Sequence, residues 1–169
     1  MKLRLRVDGS SLKCNNDSGT TRWSPQIETI VLISEYTTNE GPQLDDYFLV
    51  FVTVEDGQLY FSTCSFYADG RDEVVASLGE RLGSSIELGL ANSTDWKSRV
   101  LWPPELAGTE YFTFKEVQAE TLSEKARKGL LGPALEYSIS RTVRDYLHRR
   151  LANEQSQNVR NAGGESGPQ

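Results

Sequence analysis

The stretch Asp45–Tyr67, DDYFLVFVTVEDGQLYFSTCSFY, decides the fold class. Two apolar runs flank Asp56-Gly57. That dipeptide suits a two-residue hairpin turn, because both central positions want positive φ, which Gly adopts freely and Asp tolerates. The sequence therefore predicts two antiparallel strands whose register the turn fixes. Val54 faces Leu59, Val52 faces Phe61, Val50 faces Thr63 and Phe48 faces Ser65. On the other side Thr53 meets Tyr60, Phe51 meets Ser62, Leu49 meets Cys64 and Tyr47 meets Phe66. A hairpin with one wet face alternates apolar and polar residues. Tyr47 to Val52 does not alternate. Both faces of this strand are expected to be covered, one by helices and the other by a second layer or a partner subunit.

Upstream of the hairpin, Lys2 to Val7 alternates Leu3, Leu5 and Val7 with Lys2, Arg4 and Arg6, the pattern of an edge strand guarded by cations. Ser10 to Thr21 is polar and reads as loop, with Cys14 an exposed or loop thiol. Gln26 to Tyr36 is apolar on both faces and predicts a strand inside the sheet. Thr37 to Pro42 reads as loop.

Downstream, Asp69 or Gly70 can cap a helix whose Val74, Val75, Leu78 and Leu82 recur at helical spacing, with Gly83 as its left-handed stop. Ser85 to Leu90 predicts a short strand or extended segment, and Lys97 to Trp102 a strand ending at Pro103-Pro104. Thr109 to Val117 is strand-like through Tyr111-Phe112-Thr113-Phe114. Glu120 to Lys128 looks helical. Leu135, Ile139, Val143, Tyr146, Leu147 and Leu151 make an amphipathic stripe that predicts a second C-terminal helix. From Ala152 the chain turns polar and Gly-rich, and residues 152–169 are expected to be a disordered tail.

The chain has 169 residues, 37% hydrophobic and 25% charged, which fits one globular domain over residues 1–151. The expected architecture is α+β: a mainly antiparallel sheet of roughly five to seven strands, a middle helix and a C-terminal helical pair. No apolar run is long enough to span a bilayer, and MKLRLRVDG lacks the continuous apolar core of a signal peptide. A cytoplasmic protein is expected, with Cys14 and Cys64 reduced.

Net charge is −6, unevenly spread. Residues 1–120 carry 10 Lys and Arg against 19 Asp and Glu, whereas residues 121–151 carry 7 against 3. An acidic body repels phosphate backbones, so nucleic acid is not expected as a partner. The basic C-terminal segment is where an anion is welcome.

Most catalytic constellations are missing. One His and two Cys cannot make a structural zinc site of four ligands. Asp45-Asp46 with Glu40 has no EF-hand spacing and reads more simply as solvated. No dinucleotide fingerprint, Walker sequence or nucleophile elbow occurs, and no cofactor is expected. Trp102-Pro103-Pro104-Glu105-Leu106 reads as a rigid corner rather than a polyproline ligand.

The candidate site is the last helix, where Arg141, Arg144, His148 and Arg149 fall near one another at helical spacing. They can meet an acidic partner or an anionic ligand, although a solvated face is the plainer interpretation. The expectation is a non-enzymatic protein-binding or adaptor domain with a protein partner or self-association, an acidic inhibitor or immunity-like protein being one form of it. The alternative is a small-ligand-binding protein or enzyme with a pocket between sheet and helices, lined by Tyr60, Ser62, Cys64 and tryptophans.

Overall fold

The Asp56-Gly57 turn forms as the sequence implies. The computed structural model describes residues 2–39, 44–93, 95–116 and 135–163. Asp56 has φ 51° and Gly57 φ 72°, the two left-handed positions the turn needs. In chain order the described strands are β1 (Leu3–Asp8), β2 (Ser11–Asn16), β3 (Thr21–Trp23), β4 (Ile30–Thr37), β5 (Tyr47–Glu55), β6 (Gln58–Ser65), β7 (Lys97–Trp102), β8 (Phe112–Glu116) and β9 (Leu135–Ile139). Helix α1 (Arg71–Leu82) follows β6 and helix α2 (Arg141–Gly163) follows β9. Strands β5 and β6 pair from Glu55↔Gln58 to Phe48↔Ser65 in the expected register.

The protein is an α+β domain in which every described strand pairing is antiparallel. The strands divide among three sheets, ordered β6-β5-β4-β7, β1-β2-β3 and β8-β9. The four-stranded sheet is the centre, and both of its faces are covered. On one face Leu49, Phe51, Ile33 and Cys64 pack with Leu5, Leu12 and Cys14 of the three-stranded sheet and with Val74 and Leu78 of α1. On the other, Val50, Val52, Val54 and Val100 pack with Val143, Tyr146 and Leu147 of α2. That is why β5 does not alternate. Burial of each such large side chain contributes roughly 1.5–3 kcal/mol. The second layer expected over one face is thus this chain's own sheet.

Several expectations need correction. The polar stretch from Ser10 contains β2, which pairs with β1 from Leu3↔Asn16 to Asp8↔Ser11. Its Ser11, Lys13 and Asn15 are the outer face of an alternating strand, and Leu12 and Cys14 are fully buried. Cys14 is therefore a core residue and not an exposed or loop thiol. β4 starts at Ile30, after a 3-10 turn over Ile27–Thr29.

The second helix does not begin at Leu135. Residues 135–139 form β9, paired with β8, and α2 starts at Arg141. Ser140 ends the strand: its hydroxyl donates to the Glu110 carbonyl at 2.7 Å, and its carbonyl receives the Arg144 N–H at 2.9 Å. Leu135 and Ile139 are spaced by four, which fits one face of a helix and of a strand alike. The expected helix over 120–128 lies outside the described residues.

α2 also runs past Leu151 to Gly163, so the expected disordered tail begins as helix. Glu154, Gln155 and Gln157 are polar but, with Ala152, good helix formers, so polarity here does not exclude helix. Residues 164–169 lie outside the described part.

The remaining elements follow the sequence. α1 starts at Gly70 and stops at Gly83, which has φ 65°. Residues 85–90 form neither helix nor strand, with Ile86 and Leu88 against the first core. Trp102 to Leu106 is a corner, with Trp102 on the first core and Leu106 in the second. Among the described residues, no helix is long and apolar enough to cross a membrane.

Candidate functional site

At the Phe48 end of the central sheet α2 no longer covers the second face. There the β8-β9 hairpin stands away from β4 and β5 and leaves an open groove of 580 Å³. Its floor is Phe48, Val50 and Tyr36, one side is Phe61 and Thr63, and the other is Phe112, Tyr137, Ile139 and Trp96. Among the described residues, none that lines it carries a charge.

The rings hold one another. Tyr36 stacks on Phe48 with centroids 5.0 Å apart and meets Phe112 edge-on at 5.4 Å. Phe112 meets Tyr137 at 5.1 Å, and Tyr137 lies 6.1 Å from Trp96. Such pairs fix ring orientation beyond simple area burial. Tyr111 backs the groove, and burial pushes its hydroxyl well above the usual tyrosine range. Phe61 and Tyr137 remain about half exposed, at 48% and 56%, so the groove presents aromatic surface to solvent.

The expected basic face lies on α2, which follows the groove-lining Ile139 of β9. Arg141, Arg144, His148 and Arg149 are all exposed on α2, opposite Val143, Tyr146 and Leu147. Arg144 donates to the Ile139 carbonyl at 3.0 Å, which anchors it to a groove-lining residue. Arg141 faces Asp145 at 3.8 Å, and Arg149 donates to the Asp145 carbonyl at 3.4 Å. Of the four, Arg144 is the one with a hydrogen bond to a groove-lining residue among the described residues. His148 and Arg149 sit a turn further along.

The other expected lining residues do not line it. Tyr60, Ser62 and Cys64 alternate with Phe61 and Thr63 and so point to the opposite face of β6. Cys64 is buried 3.7 Å from the Cys14 sulfur. The hydrogen bond between the two thiols and burial both push Cys64 far above the ordinary thiol range, the reverse of an activated nucleophile. Of the tryptophans, Trp96 alone lines the groove.

A buried acid escaped the sequence reading. Glu35 is fully buried. Its Oε1 receives Arg99 Nε at 2.6 Å and the Gly89 N–H at 3.0 Å, and its Oε2 receives the Tyr47 hydroxyl. Both oxygens are occupied and solvent is excluded, so the group ties the 84–90 segment to the sheet and has no room for a substrate. A lone acid inside the apolar run IVLISEYT was the signal for it, since a buried carboxylate requires partners. Among the described residues no group of three or more His, Cys, Asp or Glu is placed to hold a metal. The groove is not legible in the sequence, because the spacing of Leu135 and Ile139 predicts helix where β9 forms.

No protein-family model, no curated protein and no solved structure matches this chain.

Proposed function

We propose that the protein is a non-enzymatic binding module of the cytoplasm that takes a segment of another protein into the aromatic groove. The observation that carries this is an open cleft built of mutually packed rings, uncharged among the described residues, with Phe61 and Tyr137 half exposed on its two sides. Aromatic residues in a concave setting are the usual anchors of protein–protein contacts. Arg144 and Arg141 at its Ile139 end favour a segment whose bulky apolar residue is followed by Asp or Glu. Among the described residues that line the cleft, none is an acid or a base. The acidic body disfavours nucleic acid.

A second interpretation, a carrier for a small apolar ligand, is favoured by the groove volume, which falls within the range of small-molecule sites.

The test is selection from a displayed library of random peptides against the purified protein. Enriched peptides should share a bulky apolar residue with acidic neighbours. Tyr137→Lys should weaken their binding at least about tenfold, or ~1.4 kcal/mol. Failure to enrich any shared pattern, or binding indifferent to Tyr137→Lys, would count against the peptide groove and leave the small-ligand interpretation to be examined with apolar dyes.

A further inference from the structure

Cys14 and Cys64 are the two cysteines of the chain. They stand 50 positions apart in sequence, yet their sulfurs lie 3.7 Å apart in the core. Both are buried thiols. They come from different sheets, Cys14 from β2 of the three-stranded sheet and Cys64 from β6 of the central one. Packing accounts for a single buried cysteine, which behaves as a small apolar side chain. It does not require two thiols to face each other across the junction of two sheets.

The junction is fixed around them. Trp23 is the β3 partner of Cys14, and its indole N–H donates to the carbonyl of Thr63, the residue before Cys64, at 3.2 Å. Leu5 and Leu49, the cross-strand partners of Cys14 and Cys64, are buried in the same core. A disulfide holds its sulfurs about 2.05 Å apart, so roughly 1.7 Å must close. Turning each Sγ about its Cα–Cβ bond supplies most of that movement. The register shift between Cys14 and Asn15 interrupts the β2–β3 ladder at the same place and gives β2 room to follow.

We propose that Cys14 and Cys64 form a site of disulfide formation which, under oxidising conditions, ties the three-stranded sheet covalently to the central sheet. The oxidant is a low-molecular-weight disulfide of the glutathione type. One cysteine thiolate attacks it, forms a mixed disulfide and expels one small thiolate. The other cysteine then attacks the protein sulfur of that mixed disulfide and expels the second. The protein gives up two electrons and two protons, and the small disulfide takes them and leaves as two thiols. Because both sulfurs are buried, the first attack occurs while the β1-β2-β3 layer is open and the second as it closes. A reducing cytosol keeps the pair as thiols, so the bond marks a change of redox conditions.

Cys64 points to the opposite face of β6 from Phe61 and Thr63 of the groove, so the bond forms or fails independently of the binding function proposed above. The test is refolding of the full chain from urea into reduced and oxidised glutathione at about 1 mM each, followed by intact mass and thermal melting. The fold brings the thiols together, so at least about nine-tenths of the protein should lose two hydrogens while remaining monomeric. With two cysteines in the chain, that mass change identifies the bond. The same buffer in denaturing urea should give a much smaller fraction, because the preference of the fold for the bond and of the bond for the fold are one quantity. The oxidised protein should keep the circular dichroism of the reduced one and melt about 5–10 °C higher. Chains that stay as thiols or glutathione adducts, or that link to one another, would overturn the proposal. So would an equal yield of the bond in urea, or an oxidised protein that melts no higher than the reduced one.

Discussion

Glu35 Oε1 lies 2.6 Å from Arg99 Nε, and the two side chains differ in solvent access: Glu35 has none, while Arg99 keeps 32%. Arg99 also donates to the Glu87 carbonyl at 2.6 Å, so one guanidinium joins the central sheet to the 84–90 segment. Removing one partner of a buried pair strands the other charge, which costs more than the pair contributes. Arg99→Ala should therefore destabilise by about 3 kcal/mol, partly offset by the Tyr47 and Gly89 donors that remain on Glu35. Gly89→Ala should act in the same direction, because a Cβ there would run into the Arg99 guanidinium. Urea unfolding checks both. A loss under about 0.5 kcal/mol for Arg99→Ala would mean that the pair is solvated.

Tyr47 gives this cluster a pH signature. Burial and then the Glu35 hydrogen bond raise its pKa well above the ordinary value. A tyrosine held protonated by the fold has no effect on stability while the unfolded chain is also protonated. Above about pH 10 the unfolded tyrosine ionises and the folded one does not, so stability is lost as pH rises. The urea midpoint should fall from about pH 9 to 11, and Tyr47→Phe should flatten that fall. An unchanged slope in the variant would assign the alkaline loss to other groups.

Gly70 and Gly83 bracket α1, both with positive φ, at 81° and 65°. Their surroundings differ. A Cβ at Gly83 meets nothing within 4 Å, whereas one at Gly70 would overlap the Leu5 carbonyl oxygen of β1. Gly83→Ala should cost about 1 kcal/mol, the left-handed penalty alone. Gly70→Ala should cost about 3 kcal/mol, because a backbone atom must also shift. Equal melting temperatures for the two variants would show that the helix start does not press on β1.

What the sequence made legible follows from local chemistry. Asp56-Gly57 specified a turn, the turn specified a register, and Tyr47 to Val52 required cover on both faces. Gly83 and Pro103 likewise ended their elements where the residue type demands. The failures came where one pattern served two structures. Ser11, Lys13 and Asn15 look like loop until Leu12 and Cys14 are seen to alternate with them. Leu135 and Ile139 satisfy helix and strand spacing equally, and nothing in the spacing marks Ser140 as the junction. The aromatic groove depends on this hairpin, since Tyr137 and Ile139 of β9 form one of its sides. Of the basic cluster, spacing correctly put Arg141, Arg144, His148 and Arg149 on one exposed face. Spacing could not show that Arg144 alone is anchored to the groove.

α2 divides into a packed half and a solvated half. Tyr146 donates its hydroxyl to the Val31 carbonyl at 3.1 Å. Val31 sits where the β4–β5 register shifts. Tyr146→Phe should cost about 1–2 kcal/mol by removing this buried hydrogen bond. Beyond Leu151, Ala152, Asn153 and Gln155 are exposed, and Gln155 reaches the Gly57 carbonyl only at 3.5 Å. Deleting residues 153–169 should lower helical circular dichroism yet leave the melting temperature within about 2 °C. A larger drop would show that the outer half of α2 helps to hold the hairpin tip.

Cys14 and Cys64 approach within 3.7 Å inside the first core, contributed by β2 and β6. Neither thiol reaches solvent, and Cys64 is held protonated by its bond to Cys14 and by burial. A reagent can reach them only after the β1-β2-β3 layer opens from the central sheet, so labelling should report that opening and not thiol chemistry. At neutral pH, native protein should react with iodoacetamide about a thousandfold more slowly than protein in urea. Both cysteines should label together, because one opening exposes both. Rapid modification of Cys64 alone in the native state would mean that β6 carries an accessible thiolate. A nucleophilic function would then have to be weighed against the binding role proposed for the groove.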